Sequence, residues 1–287
     1  MPPSDQPATL LAFGAHPDDI EFGCGGVIAR EAQAGRSAHF VVCSRGEAGT
    51  NGSAAERTQE AEKAAALLGA TIEFIDLGGD AHLTHSVEHA LKIAVIIRRV
   101  RPQIVLAPTT VENQHPDHAV VGRLVRDAAR LARYGGVIEL RTTPAHAIAQ
   151  LLFYAITVEG EPADRSGVLI DISSAGVVSA WTAAMEAHAS QSRTRNYIEL
   201  QLTRARLNGL RSGVEHAIAL FPNDPLVFDS LAPLGHSARR FLTSRLDVLS
   251  AQNRHHLLSF GRGKRHPRVG PRRGTGTTRP RGAFHQL

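Results

Sequence analysis

The stretch at residues 10–21, LLAFGAHPDDIE, decides the fold and contributes half of a candidate site. Its apolar run, residues 10–13, stops at Gly14 and predicts a buried β-strand. The polar residues His16, Asp18 and Asp19 follow directly after that strand. Because ligands bind beyond the carboxyl ends of the strands in open α/β sheets, we expect these side chains to face a ligand.

A second stretch of the same kind lies at residues 115–118, HPDH, and follows the apolar run at residues 104–107. An imidazole and a carboxylate three positions apart, as His16 and Asp19 are, can reach one small ion. Two predicted strand ends that each carry His and Asp therefore predict a divalent metal site assembled across the sheet.

Apolar strand patterns alternate with helical patterns along most of the chain, which predicts an α/β fold. We expect a Rossmann-like, mostly parallel sheet with helices on both faces and the metal site at its C-terminal strand edge. A sheet order of 3-2-1-4 would bring the ends of the first and fourth strands together. Strands are predicted at residues 10–13, 38–43, 71–77, 104–107, 151–157 and 168–172, and helices at 27–33, 54–68, 87–100, 117–132, 173–191, 197–217 and 239–249.

The net charge of +5 comes from the end of the chain. Residues 251–287 hold nine of the 32 Lys and Arg residues and no Asp or Glu, so the other 250 residues hold 23 basic and 27 acidic ones. We predict a single domain over residues 1–250 and a basic tail over 251–287, disordered from residue 261 onward.

The chain contains no apolar run of 18 residues and no signal-peptide pattern at its start, and it has two cysteines. These features predict neither a membrane span nor a disulfide scaffold. A cytoplasmic location is the expectation.

A catalytic zinc site takes three protein ligands and leaves one position open. His16, Asp19 and His118 offer a suitable set of nitrogen and oxygen atoms. Two imidazoles favour Zn²⁺, or Fe²⁺, over magnesium or calcium. The alternative is that these are turn-forming polar residues at strand ends, where Asp and Pro are common.

Three more residues of the two motifs have two interpretations each. Asp18 suits the role of general base beside the metal. The alternative is a structural role, in which it hydrogen-bonds a metal ligand or caps a helix N-terminus. His115 suits an acid or an oxyanion partner, or a third metal ligand. Asp117 suits a hydrogen bond that fixes the tautomer of an imidazole, or a cap for the helix at residues 117–132.

Glycines and arginines near the first two strands carry weaker signals. Residues 23–26, GCGG, do not have the spacing of a dinucleotide-binding loop, and tight packing of the first helix explains them better. Arg57, with Arg45 and Glu47, flanks a Gly-rich loop on the expected metal side. An arginine there suits an anionic or polyhydroxyl substrate, or a surface ion pair. The histidines at 82, 85 and 89 have no evident carboxylate partner and are interpreted as surface residues.

The motifs AHPDDIE, GCGGVIAR, SRGEAGTNGS, ERTQEAEKAAALLG and PQIVLAPTTVENQHPDH together resemble the LmbE-like, or PIG-L, zinc-dependent deacetylases. The resemblance is strong over residues 8–134 and fainter to about residue 235. It implies zinc on His16, Asp19 and His118, with Asp18 as the base, His115 as the acid or oxyanion partner, and Arg57 as a substrate contact.

The resemblance further implies that the substrate is an N-acetylglucosaminyl small molecule. The pattern is most similar to the bacillithiol-biosynthesis branch, which acts on N-acetylglucosaminyl malate, and relatives often form trimers or hexamers. Some relatives carry a Tyr just before the second motif, where this chain has Glu112, Asn113 and Gln114.

Two other functions compete with a deacetylase. A nucleotide-binding α/β protein is one, but the chain lacks a glycine-rich loop that would cradle a phosphate. A nucleic-acid-binding protein that acts through the basic tail is the other, but the rest of the chain is mildly acidic and has no recognition motif.

Overall fold

The structure, a computed structural model, describes residues 9–112, 115–193 and 196–232. Seven strands and six α-helices lie along these residues, and they alternate strictly from the first strand to the fourth helix. The strands are β1 (Leu10–Gly14), β2 (Ala38–Val42), β3 (Ala70–Phe74), β4 (Ile104–Pro108), β5 (Gln150–Tyr154), β6 (Val168–Asp171) and β7 (Ala217–Pro222). The helices are α1 (Asp19–Gln33), α2 (Ala54–Leu67), α3 (Val87–Val100), α4 (Pro116–Arg133), α5 (Ala175–Glu186) and α6 (Tyr197–Ser212).

One seven-stranded sheet in the order β3-β2-β1-β4-β5-β7-β6 runs through the fold. The predicted order 3-2-1-4 is confirmed, with β1 parallel to both β2 and β4. Leu10 lies opposite Ala38 on one side and Ile104 on the other. The strand order therefore reverses at β1 and β4, where a cleft opens at the carboxyl ends of the strands.

Both faces of the sheet are covered by helices, as predicted. Alternate residues of β1 point to opposite faces, so Leu11 and Phe13 join one apolar core while Leu10 and Ala12 join the other. Helices α3 and α4 cover the first face, and α1, α2, α5 and α6 cover the second. Burial on both sides explains why β1 appears in the sequence as a continuous apolar run.

The first helix begins at Asp19, whereas the sequence predicted it over residues 27–33. The glycines of GCGG lie within this helix although glycine has a low helix propensity. Close packing explains why glycine stands at these positions, since neighbouring aromatic residues leave no room for a side chain. A Cβ on Gly23 would lie 2.2 Å from Cδ2 of Tyr154, and one on Gly25 would lie 2.8 Å from Cδ1 of Trp181. The predicted packing role of these glycines agrees with the structure.

The chain after α5 differs from the prediction. Helix α6 ends at Ser212, followed by Gly213 in the left-handed conformation, and residues 217–222 form strand β7. The sequence predicted a helix to residue 217 and did not predict this strand. Strand β7 is antiparallel to β5 and β6 and lies between them, so non-local pairing decided the conformation of a short apolar segment.

Several predictions concern residues outside the described ranges. These are the helix at 239–249, the domain boundary at residue 250, the basic tail at 251–287, and Asn113 and Gln114. Within the part of the chain that the structure describes, no helix is long and apolar enough to cross a membrane.

We predict that Gly23→Ala lowers the free energy of unfolding by about 1–3 kcal/mol, because the added methyl group overpacks the core against Tyr154. The matched control is Gly136→Ala, where an added Cβ meets no atom within 4 Å. Urea unfolding of both variants measures the difference. Equal stabilities would contradict the close packing of α1 against β5.

Candidate active site

The residues after β1 form a tight turn around the carboxylate of Asp19. Its Oδ2 accepts hydrogen bonds from the backbone N–H groups of Ala15 at 2.8 Å and His16 at 3.0 Å. Asp18 has a φ of 122°, an unusual value for a residue other than glycine. This turn directs the side chains of residues 16, 18 and 19 into a shared pocket, to which all three contribute.

The second motif begins α4 at the carboxyl end of β4. His115 is the N-cap, and its Nδ1 accepts a hydrogen bond from the backbone N–H of Asp117 at 3.3 Å. The proton of a neutral His115 therefore lies on Nε2. The sequence left Asp117 as a candidate cap of this helix, but in the structure the N-cap of α4 is His115.

The two motifs meet at His16, Asp19 and His118, as the sequence predicted. His16 Nδ1 lies 3.7 Å from Asp19 Oδ2, and His118 Nε2 lies 3.2 Å from Asp19 Oδ1. One ligand atom from each of the three residues lies within 4.8 Å of the others. Two imidazole nitrogens and a carboxylate oxygen in this arrangement fit one divalent ion.

The opposite edge of the His16 ring faces two carboxylates. Its Nε2 lies 3.1 Å from Asp80 Oδ1 and 3.3 Å from Asp117 Oδ2. A proton on Nε2 is held there, which leaves Nδ1 toward Asp19 and His118. Partners of this kind orient a metal-binding imidazole and fix its tautomer.

Asp80 was not predicted from the sequence. It follows β3 in the segment LGGD and carries no local signal of a site, but the fold brings it against His16. Its Oδ2 also accepts a hydrogen bond from the backbone N–H of Ala48 at 3.2 Å. Asp80 therefore connects the long loop after β2 to the candidate ligand His16.

The two adjacent carboxyl groups of the first motif differ in their electrostatics. Burial, followed by the charge of Asp19, raises the pKa of Asp18 to about 6. Burial would also raise the pKa of Asp19, but the imidazoles of His118 and His16 outweigh it and hold that pKa well below its ordinary value. Asp19 is thus the stable anion of the pair.

The pKa values of His16 and His115 are shifted in opposite directions. Burial would lower the pKa of His16, but hydrogen bonds to Asp117, Asp19 and Asp80 raise it well above its ordinary value. Burial and the neighbouring His16 lower the pKa of His115, whose side chain is 36% exposed. His115 is therefore a neutral imidazole open to the pocket near neutral pH.

Arg57 is buried, with 4% of its surface exposed, and holds backbone groups. Its Nη1 donates to the carbonyl of Gly46 and its Nη2 to the carbonyl of Pro17, both at 3.1 Å. Its Nη2 also lies 3.6 Å from Asp18 Oδ2. The guanidinium borders the pocket, as predicted, but most of its contacts fix the loop and the turn around Asp18.

The pocket above these residues has a volume of about 400 Å³. Residues of the loop after β2 line part of it, and Phe22, Ile156 and Tyr197 form an apolar wall. Sequence reasoning missed this wall because Ile156 and Tyr197 lie in the half of the chain without motifs. Their approach to Phe22, whose ring centroid is 5.9 Å from that of Tyr197, depends on tertiary packing.

A turn after α5 holds the loop that follows β2 and borders the pocket. Ser190 donates to Glu60 twice, from its backbone N–H at 2.8 Å and from its hydroxyl at 2.6 Å. Gln191 Nε2 donates to the carbonyl of Asn51 at 2.8 Å. These bonds join residues 190–191 to helix α2 and to the loop that borders the site.

His85 is exposed, as predicted, but the prediction that it has no carboxylate partner was wrong. His85 Nε2 lies 2.8 Å from Asp127 Oδ2, so this histidine has a carboxylate partner. The partner lies 42 positions away, beyond the reach of local sequence patterns.

The fold and the His/Asp cluster define an α/β protein with a candidate metal-binding pocket at the switch point of its sheet. The family model for GlcNAc-PI de-N-acetylase, PIG-L, matches residues 11–129. The chain is also 32% identical over 149 residues to the uncharacterized deacetylase YaiS of Escherichia coli K12, with 50% of this chain and 72% of YaiS covered. The chain belongs to the PIG-L, or LmbE-like, deacetylase family.

Two further proteins show the breadth of these similarities. The chain is 32% identical over 140 residues to 4-oxalmesaconate hydratase of Pseudomonas putida, with 45% of this chain and 54% of the hydratase covered. It therefore spans about half the length of that relative. The crystal structure of the conserved protein TT1542 from Thermus thermophilus superposes with a TM-score of 0.66 at 32% identity, covering 77% of this chain and 97% of that one.

We predict that Arg57→Met lowers the free energy of unfolding of the metal-free protein by about 1–3 kcal/mol, because the buried carbonyl of Pro17 loses its side-chain donor and that of Gly46 keeps only the backbone N–H of Gly49. The matched control is Arg45→Met, an exposed arginine in the loop that Arg57 holds, with a loss below about 0.5 kcal/mol. Urea unfolding in the presence of a chelator measures both. An unchanged stability of the Arg57 variant would contradict its role in holding the loop.

Proposed function

We propose that this protein is a zinc-dependent hydrolase that removes the acetyl group from an N-acetylglucosaminyl small molecule. The observation that carries the proposal is the convergence of His16, Asp19 and His118 beside the partly buried carboxyl group of Asp18. Membership of a family described as GlcNAc-PI de-N-acetylase supports the acetamide as the reacting group. The donor set of two imidazoles and one carboxylate favours zinc, with Fe²⁺ as the alternative.

The reaction adds water to the acetamide carbonyl and breaks the C–N bond, which gives acetate and a free amine. A bound zinc ion would polarise the carbonyl and lower the pKa of water. Asp18 takes a proton from the attacking water as general base. Its partly buried carboxylate lines the pocket beside Asp19. The Nη2 atom of Arg57 lies 3.6 Å from Asp18 Oδ2 and keeps this carboxylate oriented.

His115 acts on the carbonyl oxygen of the acetamide. Its neutral ring presents the Nε2–H group to the pocket, because Nδ1 is occupied by the backbone N–H of Asp117. This donor suits a hydrogen bond to the developing oxyanion. The leaving nitrogen of the glucosamine takes the proton that Asp18 removed from the water, which returns Asp18 to its carboxylate. The acid role that the resemblance implied for His115 would turn its neutral ring into an imidazolate, so the oxyanion role is the one proposed here. Asp117 and Asp80 position His16 rather than react.

The identity of the group joined to the sugar is part of the proposal. The resemblance of the sequence implied N-acetylglucosaminyl malate, a substrate of bacillithiol biosynthesis, with Arg57 as the contact for an acid. In the structure the Arg57 guanidinium already binds two carbonyls and lies near Asp18. An acidic substrate would have to compete with these contacts. Assembly into trimers or hexamers, also implied by the resemblance, stays a proposal.

The similarity to 4-oxalmesaconate hydratase favours a second candidate, the hydration of a small carboxylate. The charges of the described pocket argue against it. Asp18, Asp19 and Asp80 line the pocket, and the arginine that borders it is engaged with backbone carbonyls. A parallel assay for acetate release from N-acetylglucosaminides and for hydration of 4-oxalmesaconate separates the two functions.

We predict that His118→Ala and Asp19→Ala each lose bound zinc and acetate release, because a three-ligand site has no redundant ligand. The control is His85→Ala, which removes an imidazole paired with a carboxylate at the surface. Elemental analysis of the purified variants measures zinc per chain. Stoichiometric zinc in both ligand variants would overturn the ligand assignment.

We predict that Asp18→Asn keeps its zinc and its fold but loses turnover by roughly 10²–10⁴-fold, as expected for removal of a general base. Asparagine is the suitable replacement because it tolerates the positive φ of this position. Acetate release, zinc content and melting temperature are measured together. Loss of zinc from this variant would make Asp18 a ligand, and the base would then have to be another group.

A further inference from the structure

Glu21 and His188 are two ionisable residues in the interior of the protein that the proposed mechanism does not use. Their side chains are 3% and 0% exposed, and His188 Nε2 lies 3.5 Å from Glu21 Oε1. Neither ring nitrogen of His188 has a hydrogen-bond partner among the described residues, and the same holds for Glu21 Oε1. The carboxylate and the imidazole therefore depend on each other for charge compensation.

The pair is an ion pair rather than two neutral groups. Burial would lower the pKa of His188, but the charge of Glu21 outweighs burial and raises that pKa, which favours the imidazolium. A buried ion pair adds little net stability to a fold, because the desolvation of two charges offsets their attraction. Stability alone therefore does not explain why these two residues lie in the core.

The pair lies at the first turn of α1, directly after Asp18. Within this turn the backbone N–H of Phe22 donates to the carbonyl of Asp18 at 3.0 Å. The carbonyl of Glu21 accepts a hydrogen bond from Nε1 of Trp181 at 2.7 Å. Helix α5 and the segment after it thus hold both the backbone and the side chain of Glu21.

Asp18 depends on such support because its backbone is strained. Its φ of 122° and ψ of −27° lie outside the regions that a residue other than glycine adopts easily. A conformation of this kind persists only where the surrounding contacts fix it. Before Asp18, the guanidinium of Arg57 binds the carbonyl of Pro17. After Asp18, the Glu21–His188 pair fixes the turn from the other side.

We propose that the Glu21–His188 pair is a positioning element for Asp18. The pair anchors the first turn of α1 and so holds the Asp18 carboxylate where it takes a proton from the attacking water. This proposal rests on the proposed deacetylase function. It gives His188, which lies in the half of the chain without motifs, a role in the reaction that is exerted through Asp18.

The test compares Glu21→Met and His188→Leu with the double variant that carries both changes. Each single change leaves a buried charge without its partner and should lower the melting temperature. The double variant places two apolar side chains of similar volume against each other, so it should regain most of that loss. All three variants should keep one zinc ion per chain, because the three candidate ligands are unchanged.

Kinetics separate a positioning role from a structural one. With the methyl glycoside of N-acetylglucosamine, kcat should fall by roughly 10–100-fold in the double variant as in the single ones, since a displaced catalytic group can cost about 10²-fold. KM should change by less than about threefold, because Asp18 acts in the transition state. The stability control is Ile97→Ala, a change in the core on the other face of the sheet, which should lower the melting temperature and leave kcat unchanged.

A double variant that regains kcat together with its melting temperature, or that loses its zinc, would overturn the positioning role. An equal loss of kcat in Ile97→Ala would also overturn it, because destabilisation alone would then explain the effect. If the wild-type protein releases no acetate, the proposed function fails, and crystal structures of the wild-type protein and the double variant decide the positioning role. A shift of the Asp18 carboxylate by more than about 1 Å supports it, and an unchanged Asp18 overturns it.

Discussion

The clamping of His16 between carboxylates on both edges of its ring is the interaction on which the site depends. Asp19 faces Nδ1, while Asp80 and Asp117 face Nε2 at 3.1 and 3.3 Å. One partner belongs to the turn after β1, one to the segment after β3 and one to α4. A single buried imidazole thus fixes the relative positions of three chain segments. The reversal of strand order at β1 and β4 makes this geometry possible, because it opens the cleft in which the segments meet.

The surroundings of the clamp are built by residues with no part in the proposed chemistry. Tyr154 packs against Gly23 and donates its hydroxyl proton to the carbonyl of Phe13 at 2.6 Å, which ties β5 to β1 and α1. Arg57 and Ser190 secure the loop on the open side. These contacts preorganise the candidate ligands before any ion or substrate binds, and this lowers the cost of assembling the site.

The sequence predicted the features that local patterns encode. The apolar runs at residues 10–13 and 104–107 predicted two strands whose ends precede HPDD and HPDH, and alternation of strands and helices led to the confirmed order 3-2-1-4. Features created by distant contacts were missed. Strand β7 takes its conformation from β5 and β6, and Asp80 acquires its place only when the segment after β3 reaches His16. Arg57 was predicted in part. The sequence placed it on the metal side of the sheet, but it did not predict that the side chain is buried against backbone carbonyls.

The separation of His16 and Asp117 by 101 positions has a consequence for the order in which the protein acquires its native state. The chain between them includes strands β2, β3 and β4 and helices α1, α2 and α3, and it must close before the clamp can form. Local helices and βα units can appear early, whereas contacts of such long range form late because of their closure entropy. Uptake of the proposed metal ion during refolding would consequently report completion of the β1–β4 core, and a nascent chain would lack the site until α4 had left the ribosome.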